Sequence, residues 1–454
     1  MKRSILFLGL LLSLVLPGRA QESQLGAEFR MEGERFRSEC GSFKPIGCGQ
    51  VLFTDHPLHI AAGSLAPQNG VGFGGAFVSH WTPNESWRFN FDMDTVATLN
   101  GSWRAGAYLT AALARHHQLV VLPGGSSAAA SASVDVQEVP VFRAYAQATS
   151  LNKIGFFGLG PDSSDTSRTY YGMRQTITGI NGVWPLSNKL HLSLYGEANG
   201  RFVDLRITPA VGRFVASAPV SSNEPAFAQF GQGIRLRPSF AGGYVRLNYF
   251  GTFQEYIAAG DSQLSFQRFT IDLAHEFPLY RTTRTFWPVD SNGPNDCSAG
   301  TSQKTCPSVS RNREGSFGLR LMMAESIVPS GHVVPFYFQP TLGGSDINGN
   351  ATLPSYQDYR FRAPNTVLVR ASFEHSLYGP VGVIGMVDEG KVATRRSDLT
   401  LNHLLHSYSA GLTLRAGGFP MISLLFSWGG HEGMHTSARI SDSLLGGSSR
   451  PSLY

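Results

Sequence analysis

Tyr408-Ser409-Ala410-Gly411-Leu412-Thr413-Leu414-Arg415 alternates apolar residues with small or polar ones along its whole length. In an extended strand, successive side chains point to opposite faces of the sheet. One face of this strand is therefore apolar and the other polar, as in a strand that separates hydrocarbon from a wet interior. The same alternation suits a soluble sandwich with one buried face, so the number and length of such segments must decide.

Segments with this alternation recur from about residue 57 to the end of the chain. In one of them Val245, Leu247 and Tyr249 alternate with Arg246 and Asn248. We predict sixteen strands, at residues 57–66, 70–81, 86–98, 102–116, 139–150, 168–184, 188–201, 228–237, 241–257, 264–277, 314–326, 365–376, 380–392, 406–416, 419–429 and 434–445. An even number of long strands favours a transmembrane barrel over a sandwich. The predicted fold class is all-β, a transmembrane antiparallel up-and-down β-barrel of about 16 strands.

The N-terminus has the layout of a secretory signal peptide. Lys2 and Arg3 precede an apolar run over residues 5–16, and a break at 17–19 leads to the small residue Ala20. We therefore predict that residues 1–20 are a cleaved signal peptide. No later run approaches the ~18 apolar residues of a transmembrane helix, so an exported chain embedded in a membrane would have to be a closed barrel.

The composition fits a barrel and argues against several other classes. Only 15% of residues are charged, aromatic residues make up 11%, and 51 residues are glycine. The net charge of +5 is spread along the chain with no basic cluster, which predicts no nucleic-acid partner. Because no linker divides the chain, residues 57–445 are predicted as one barrel, 21–56 as a short periplasmic segment and 446–454 as a C-terminal tail.

Four cysteines form two close pairs, Cys40 with Cys48 and Cys297 with Cys306. In an exported protein, such pairs in loop-like sequence indicate two local disulfides. Other pairings and metal binding are the alternatives.

No motif in the chain indicates an enzyme or a cofactor. Residues 70–75 match G-x-G-x-x-G by letter, but the residues after them read as a strand, whereas a dinucleotide site needs a helix there. Asp92 and Asp94 share one face of a strand, and wall charge explains them better than a cation site does. There is no H-E-x-x-H spacing and no nucleophile elbow. We predict no catalytic, cofactor-binding or metal site.

Five stretches follow one another in an order that is itself informative: FFGLGPDSS at 156–164, PTLGG at 340–344, YQDYRFR at 356–362, VDEGKV at 387–392 and HSYSAGL at 406–412. Together they resemble the bacterial surface antigen family, the barrel part of the BamA/TamA outer-membrane assembly superfamily. The resemblance is strongest over residues 335–445.

The resemblance implies a sixteen-stranded barrel whose long sixth loop folds back into the lumen. In the family, an arginine at the loop tip contacts acidic groups on the inner wall of strands twelve and thirteen, which Glu374 and Asp388 match here. At the tip only the aromatic Tyr356 is kept, and Arg360 or Arg362 could reach the acids instead. The predicted latch residues are Tyr356, Arg360, Arg362, Glu374, Asp388 and Gly390.

The resemblance also implies a location and a role. Family members sit in the bacterial outer membrane, in contact with its lipid and lipopolysaccharide, and act in outer-membrane biogenesis or in protein or lipid transport. They carry periplasmic POTRA domains before the barrel; only residues 21–56 precede it here, which predicts a barrel without that arm. A separate periplasmic protein or lipoprotein could then be its partner. The alternative is a passive pore or structural barrel that lacks assembly activity.

Overall fold

The computed structural model describes residues 57–113, 139–207, 224–286, 309–378, 381–416, 419–440 and 450–454, with a few positions between 30 and 38. The predicted signal peptide, nearly all of the segment 21–56 and all four cysteines lie outside the described residues. Two units are distinguished, Met1–His59 and Ile60–Tyr454, and the second holds the sheet. No described helix is long and apolar enough to cross a membrane.

Nineteen strands account for almost all regular structure in the described residues. They are β1 (Leu58–Ser64), β2 (Val71–Trp81), β3 (Trp87–Thr98), β4 (Trp103–Leu113), β5 (Val141–Phe156), β6 (Thr169–Ser187), β7 (Leu192–Ile207), β8 (Phe227–Leu236), β9 (Ser239–Phe240), β10 (Val245–Ala258), β11 (Phe266–Phe286), β12 (Val309–Ile327), β13 (Thr341–Leu342), β14 (Phe361–Arg362), β15 (Asn365–Tyr378), β16 (Val381–Ala393), β17 (Leu405–Ala416), β18 (Phe419–Trp428) and β19 (His435–Ile440). Because β9, β13 and β14 have two residues each, sixteen long strands remain. The predicted number is confirmed.

The long strands pair antiparallel with their neighbours in chain order. Antiparallel pairing continues strand by strand from β2 to β8, from β8 to β10, from β10 to β12 and from β15 to β19, with local register shifts in pairs such as β5–β6 and β11–β12. β1 pairs with β2, and β12 pairs directly with β15. In the part of the chain that the structure describes, no register joins β19 to β1. This meander is the predicted up-and-down order.

The two faces of the sheet differ in the way the alternation predicts. On β8, Phe230 and Ile234 are 52% and 55% exposed. Gln229, the residue directly before Phe230, lies on the other face and is 0% exposed. Other large apolar side chains exposed on the wall are Phe73, Ile180, Phe202, Phe373, Leu412 and Phe426. Polar side chains buried on the other face include Arg104, Gln147, Arg201, Asp388, Ser407 and Thr413. An apolar outside and a polar inside exclude the soluble sandwich and suit a barrel in lipid.

Residues 328–364, which connect β12 to β15, leave the wall and fill the interior; we call them the interior segment. Its aromatic turn, Phe336–Phe338, packs edge-on against Phe156 and Tyr171 on one side and against Phe227 farther along the wall. Its later part packs in a second apolar cluster with Leu368 and Val392 of the opposite strands β15 and β16. One segment that touches strands so far apart in the sheet requires the sheet to curl around it. The predicted loop inside the lumen is confirmed.

Two consecutive glycines allow the interior segment to fold back on itself. Gly343 and Gly344 have φ of 107° and 52°, in the left-handed region that favours glycine. A Cβ on Gly343 would lie 2.5 Å from the Cβ of Arg360, and one on Gly344 would lie 2.5 Å from Oδ1 of Asp358. Because these two positions have no side chain, residues 340–344 pack directly against residues 358–360, and this contact fixes the position of Arg360.

Candidate functional site

The first anchor of the interior segment is Arg360, and we call its contacts the Arg360 clamp. Its Nη1 donates to Oγ of Ser163 at 2.8 Å, and its Nη2 donates to the Ser163 carbonyl at 2.7 Å. Its Nε donates to the carboxylate of Glu432, in the turn between β18 and β19. Both charged side chains are almost wholly buried. A guanidinium fork in this setting fixes geometry as well as charge.

Local backbone geometry brings Ser163 to the Arg360 clamp. Gly158 and Gly160 adopt φ of 104° and 89°, which turns the chain sharply after β5. The amide of Gly160 then donates to the Arg362 carbonyl at 2.8 Å, so this loop lies directly on β14. The guanidinium of Arg360 also stacks over the ring of Phe157, 5.2 Å from its centre. The FFGLGPDSS stretch thus forms one half of the site.

The second anchor is Arg370 on β15, and we call its contacts the Arg370 clamp. Its Nε and Nη2 donate to the two carboxylate oxygens of Asp388 on β16, at 2.6 and 2.9 Å. Its Nη2 also reaches the carbonyls of Ala351 and Thr352 in the interior segment, at 3.1 and 3.4 Å. The Asp388 side chain is fully buried. Its carboxylate fixes the orientation of Arg370, and Arg370 in turn binds the interior segment.

Two further arginines hold the aromatic turn of the interior segment by its carbonyl groups. Nη1 of Arg362 donates to the carbonyl of Phe336 at 2.7 Å. Nη2 of Arg268 on β11 donates to the carbonyl of Phe338 at 2.5 Å. Carbonyls that leave regular structure need such donors when they are buried.

Close apolar packing completes the site at Tyr356 and Gly390. The Tyr356 ring is buried and lies so near Gly430 that a Cβ there would be 2.8 Å from the ring. Gly390 on β16 likewise leaves room for Leu342, since a Cβ would lie 3.1 Å from the Cδ1 of that leucine. The two glycines let the loop pack directly on the wall and on the neighbouring turn.

The structure distributes the predicted latch residues over different partners. Arg360 pairs with Glu432, and Asp388 pairs with Arg370, instead of the two predicted residues pairing with each other. Glu374 lies on β15, opposite Ser316 and Ile384 in the register. Arg370, Glu432 and Ser163 were not assigned to the latch from the sequence. The signal for Arg370 was present, because it is a cation on the polar face of the same strand as Glu374.

A cavity of about 660 Å³ remains between the wall and the interior segment. Its charged lining includes Arg143, Glu197, Arg235, Arg268, Asp272 and Arg320. The described residues contain no group of three or more His, Cys, Asp and Glu side chains that could hold a metal ion.

Comparison with known proteins gives matches among solved structures alone. No family model and no curated protein matches the chain. CdiB from Acinetobacter baumannii is 12% identical with a TM-score of 0.44, over 84% of this chain and 58% of that chain. CdiB from Escherichia coli is 11% identical with a TM-score of 0.47, over 82% of this chain and 59% of that one. BamA from Haemophilus ducreyi lacking POTRA domains 1-3 is 9% identical with a TM-score of 0.48, over 84% and 69%.

The chain thus spans less than two thirds of the length of the two CdiB chains. The apolar outer face, the polar inner face and the meander order define a membrane-spanning β-barrel with a loop in its interior. Barrels of this kind belong to the bacterial outer membrane, which is the predicted location. Sixteen long strands with the sixth loop inside are the architecture that the resemblance to the BamA/TamA superfamily implies.

Proposed function

We propose that this barrel acts in outer-membrane biogenesis or in protein or lipid transport, through a weak seam between its first and last strands. The observation that carries the proposal is strand length: β1 has 7 residues with described residues on both sides of it, whereas β2–β8, β10–β12 and β15–β18 have ten or more, the two-residue β9 excepted. Pairing along a seam is limited by its shorter strand, and each backbone hydrogen bond contributes only about 0.5–1.5 kcal/mol. A seam that includes β1 therefore holds fewer pairs than a contact between two of the longer strands, and it opens more readily than such a contact.

The sequence around β1 weakens the seam further. Pro57 and Pro67 flank the strand, and Gly63 lies within it. Proline cannot donate to a ladder, and glycine adds no packing. Both effects reduce the free energy gained when the first and last strands pair.

The filled interior also supports passage at the wall rather than through the lumen. The Arg360 clamp and the Arg370 clamp tie the interior segment to opposite sides of the barrel. A folded or extended client chain would have to break both buried clamps to pass along the axis. Entry through the seam, with local thinning of the bilayer, leaves them intact.

One observation favours the second candidate, a passive pore. The lining of the cavity beside the interior segment includes charged side chains such as Arg143, Glu197 and Asp272 among apolar ones, and these suit a path for water and small solutes. In a planar bilayer, a steady open conductance of the wild-type protein, with normal levels of other barrels in its absence, would establish this candidate.

A disulfide across the seam tests the first candidate. Ala62→Cys on β1 is combined in turn with Thr436→Cys, Ser437→Cys and Ala438→Cys on β19, because the side chains must be within a few ångströms to cross-link. We expect the cross-linked variant to abolish accumulation of folded outer-membrane barrels in cells that have no other copy, and reductant to restore it. Heat-dependent gel mobility measures the folded fraction.

The four single-cysteine variants are the controls, since they carry the native cysteines without the new bond. They should support wild-type levels with or without reductant. Normal accumulation in cells that hold the fully cross-linked protein would refute the seam mechanism.

A further inference from the structure

Residues 450–454, Arg-Pro-Ser-Leu-Tyr, lie inside the barrel and follow no strand ladder; we call them the lumenal peptide. At one end, Nη2 of Arg450 donates to Oδ2 of Asp94 on β3 at 3.1 Å. Arg104 on β4 donates to the same oxygen at 2.9 Å. The inner wall thus provides a carboxylate, only 12% exposed, for the first residue of the peptide.

The middle of the lumenal peptide is bound through its main chain. Nη1 of Arg201 on β7 donates to the carbonyl of Ser452 at 2.9 Å. Arg201 is 1% exposed, and its Nε is held by Gln229 at 2.6 Å and by Asn199 at 3.1 Å. A buried arginine held on its other side by two amides is preorganised to bind a carbonyl.

The interior segment provides the opposite side of the same site. Oδ1 of Asn348 accepts from the amide of Leu453 at 2.8 Å, and its Nδ2 donates to Oγ of Ser452 at 3.2 Å. The hydroxyl of Tyr454 donates to Oδ2 of Asp346 at 2.6 Å. Asn350 also donates to Asp346, from its amide at 2.7 Å and from its side chain at 3.0 Å.

Burial raises the pKa of the Asp346 carboxyl, and it raises the pKa of Tyr454 well above its usual range. A carboxylate in such a place needs donors, and the tyrosine hydroxyl is one of three that it receives. The aromatic end of the lumenal peptide therefore meets a specific acceptor, and the arginine end meets a specific carboxylate.

This arrangement has the features of a peptide-binding site. Asn348 and Arg201 bind main-chain groups of the lumenal peptide. Asp346 and Asp94 bind the side chains at its two ends, Tyr454 and Arg450. None of these contacts requires the peptide to be part of the same chain. The peptide also forms part of the wall of the cavity, so its release would enlarge the cavity.

We propose that the lumen contains a binding site for an extended peptide with a basic residue at its start and a tyrosine four residues later, occupied here by the chain's own residues 450–454. The bound peptide is exchangeable: once it leaves, the site takes a free peptide of the same chemistry. The inference does not depend on whether the barrel assembles clients or conducts solutes.

A direct binding measurement tests the proposal on the full-length, detergent-folded protein. The probe is the synthetic peptide Arg-Pro-Ser-Leu-Tyr, which carries a fluorophore on an N-terminal glycine linker. Fluorescence anisotropy measures its binding. In one variant the chain's own peptide is replaced by the changes R450G, P451S, S452G, L453S and Y454G. This variant should bind the probe at least about tenfold more tightly than wild type, whose site is occupied.

Specificity is tested on both sides of the interaction. Adding Asn348→Ala to the replaced variant should weaken probe binding about tenfold, because two hydrogen bonds to the peptide are lost. The reversed peptide Tyr-Leu-Ser-Pro-Arg should not bind. If the folded replaced variant binds no probe, or binds both peptides equally, the proposal is wrong.

A second measurement is independent of the replaced variant and needs no free peptide. In otherwise wild-type protein, Asn348→Ala should speed hydrogen exchange about tenfold in the proteolytic fragment that contains Leu453. The reason is that the Leu453 amide loses its acceptor. Exchange in β7 should stay unchanged. Equal exchange at Leu453 in both proteins would also overturn the proposal.

Discussion

Asp388→Asn should lower the free energy of unfolding by about 3–5 kcal/mol, the usual effect of removing one partner from a buried ion pair. The Asp388 side chain is fully buried and both its oxygens accept from Arg370. The asparagine would leave the guanidinium one neutral acceptor and place an NH2 donor against its second N–H, so Arg370 would lose its fixed orientation toward the carbonyls of Ala351 and Thr352. The interior segment should therefore loosen along with the wall.

Urea titration in phospholipid vesicles measures this loss. The matched control is Glu276→Gln, which breaks the pair with Arg246 at 3.6 Å, where both side chains are well exposed. Such a pair contributes less than about 1 kcal/mol. If Asp388→Asn and Glu276→Gln shift the titration equally, the Arg370 clamp does not hold the loop.

Arg360→Lys should raise the rate at which protease cleaves the interior segment by roughly a hundredfold. Lysine keeps the charge but lacks the fork that bonds Glu432 and both oxygens of Ser163 at once. Losing two charge-assisted hydrogen bonds costs about 3 kcal/mol, which converts to that increase in the open population when opening is fast. The readout is the cleavage rate within residues 328–364 of the folded barrel.

Arg396→Lys provides the control for this substitution. Arg396 pairs with Glu325 with more than half of its side chain exposed, so the exchange should leave cleavage at the wild-type rate. Wild-type cleavage in Arg360→Lys as well would show that the interior segment is held by other contacts.

The wall of this barrel could be predicted from the sequence because its signal is local. Alternation along Val245–Ala258 or Leu405–Ala416 is set by neighbouring residues and survives without any knowledge of the partner strand. The predicted bounds differ from the observed ones mainly at strand ends, where β11 and β12 extend beyond the predicted segments. Strand ends depend on the partner strand, which a single sequence does not show.

The site depends on partners far apart in the chain, and this limits prediction. The resemblance identified Asp388 and Arg360 as site residues, but their partners follow from strand register and from the path of the loop. Arg370 faces Asp388 because β15 and β16 pair in one particular register. Glu432 reaches Arg360 because the sheet curls until the β18–β19 turn meets the interior segment.

The lumenal peptide shows the same limit at the end of the chain. Residues 446–454 carry no alternation, so the sequence predicted a C-terminal tail and gave no position for it in the fold. The described part, 450–454, is positioned by Arg201 and Asn348, which lie about 250 and 100 residues earlier in the chain. Contacts of this kind arise after the wall has formed and leave no periodic trace.

Each long strand meets hydrocarbon on one face and a polar interior on the other, and every other conclusion depends on this difference. Ile180 and Asn181 on β6 test it most directly, since Ile180 is 61% exposed on the outer face and Asn181 lines the inner cavity opposite Glu197 of β7. In vesicles, Ile180→Arg should lower the free energy of unfolding by about 2–4 kcal/mol, and Asn181→Arg should change it by less than about 1 kcal/mol. Equal losses, or a larger loss for Asn181→Arg, would contradict the account.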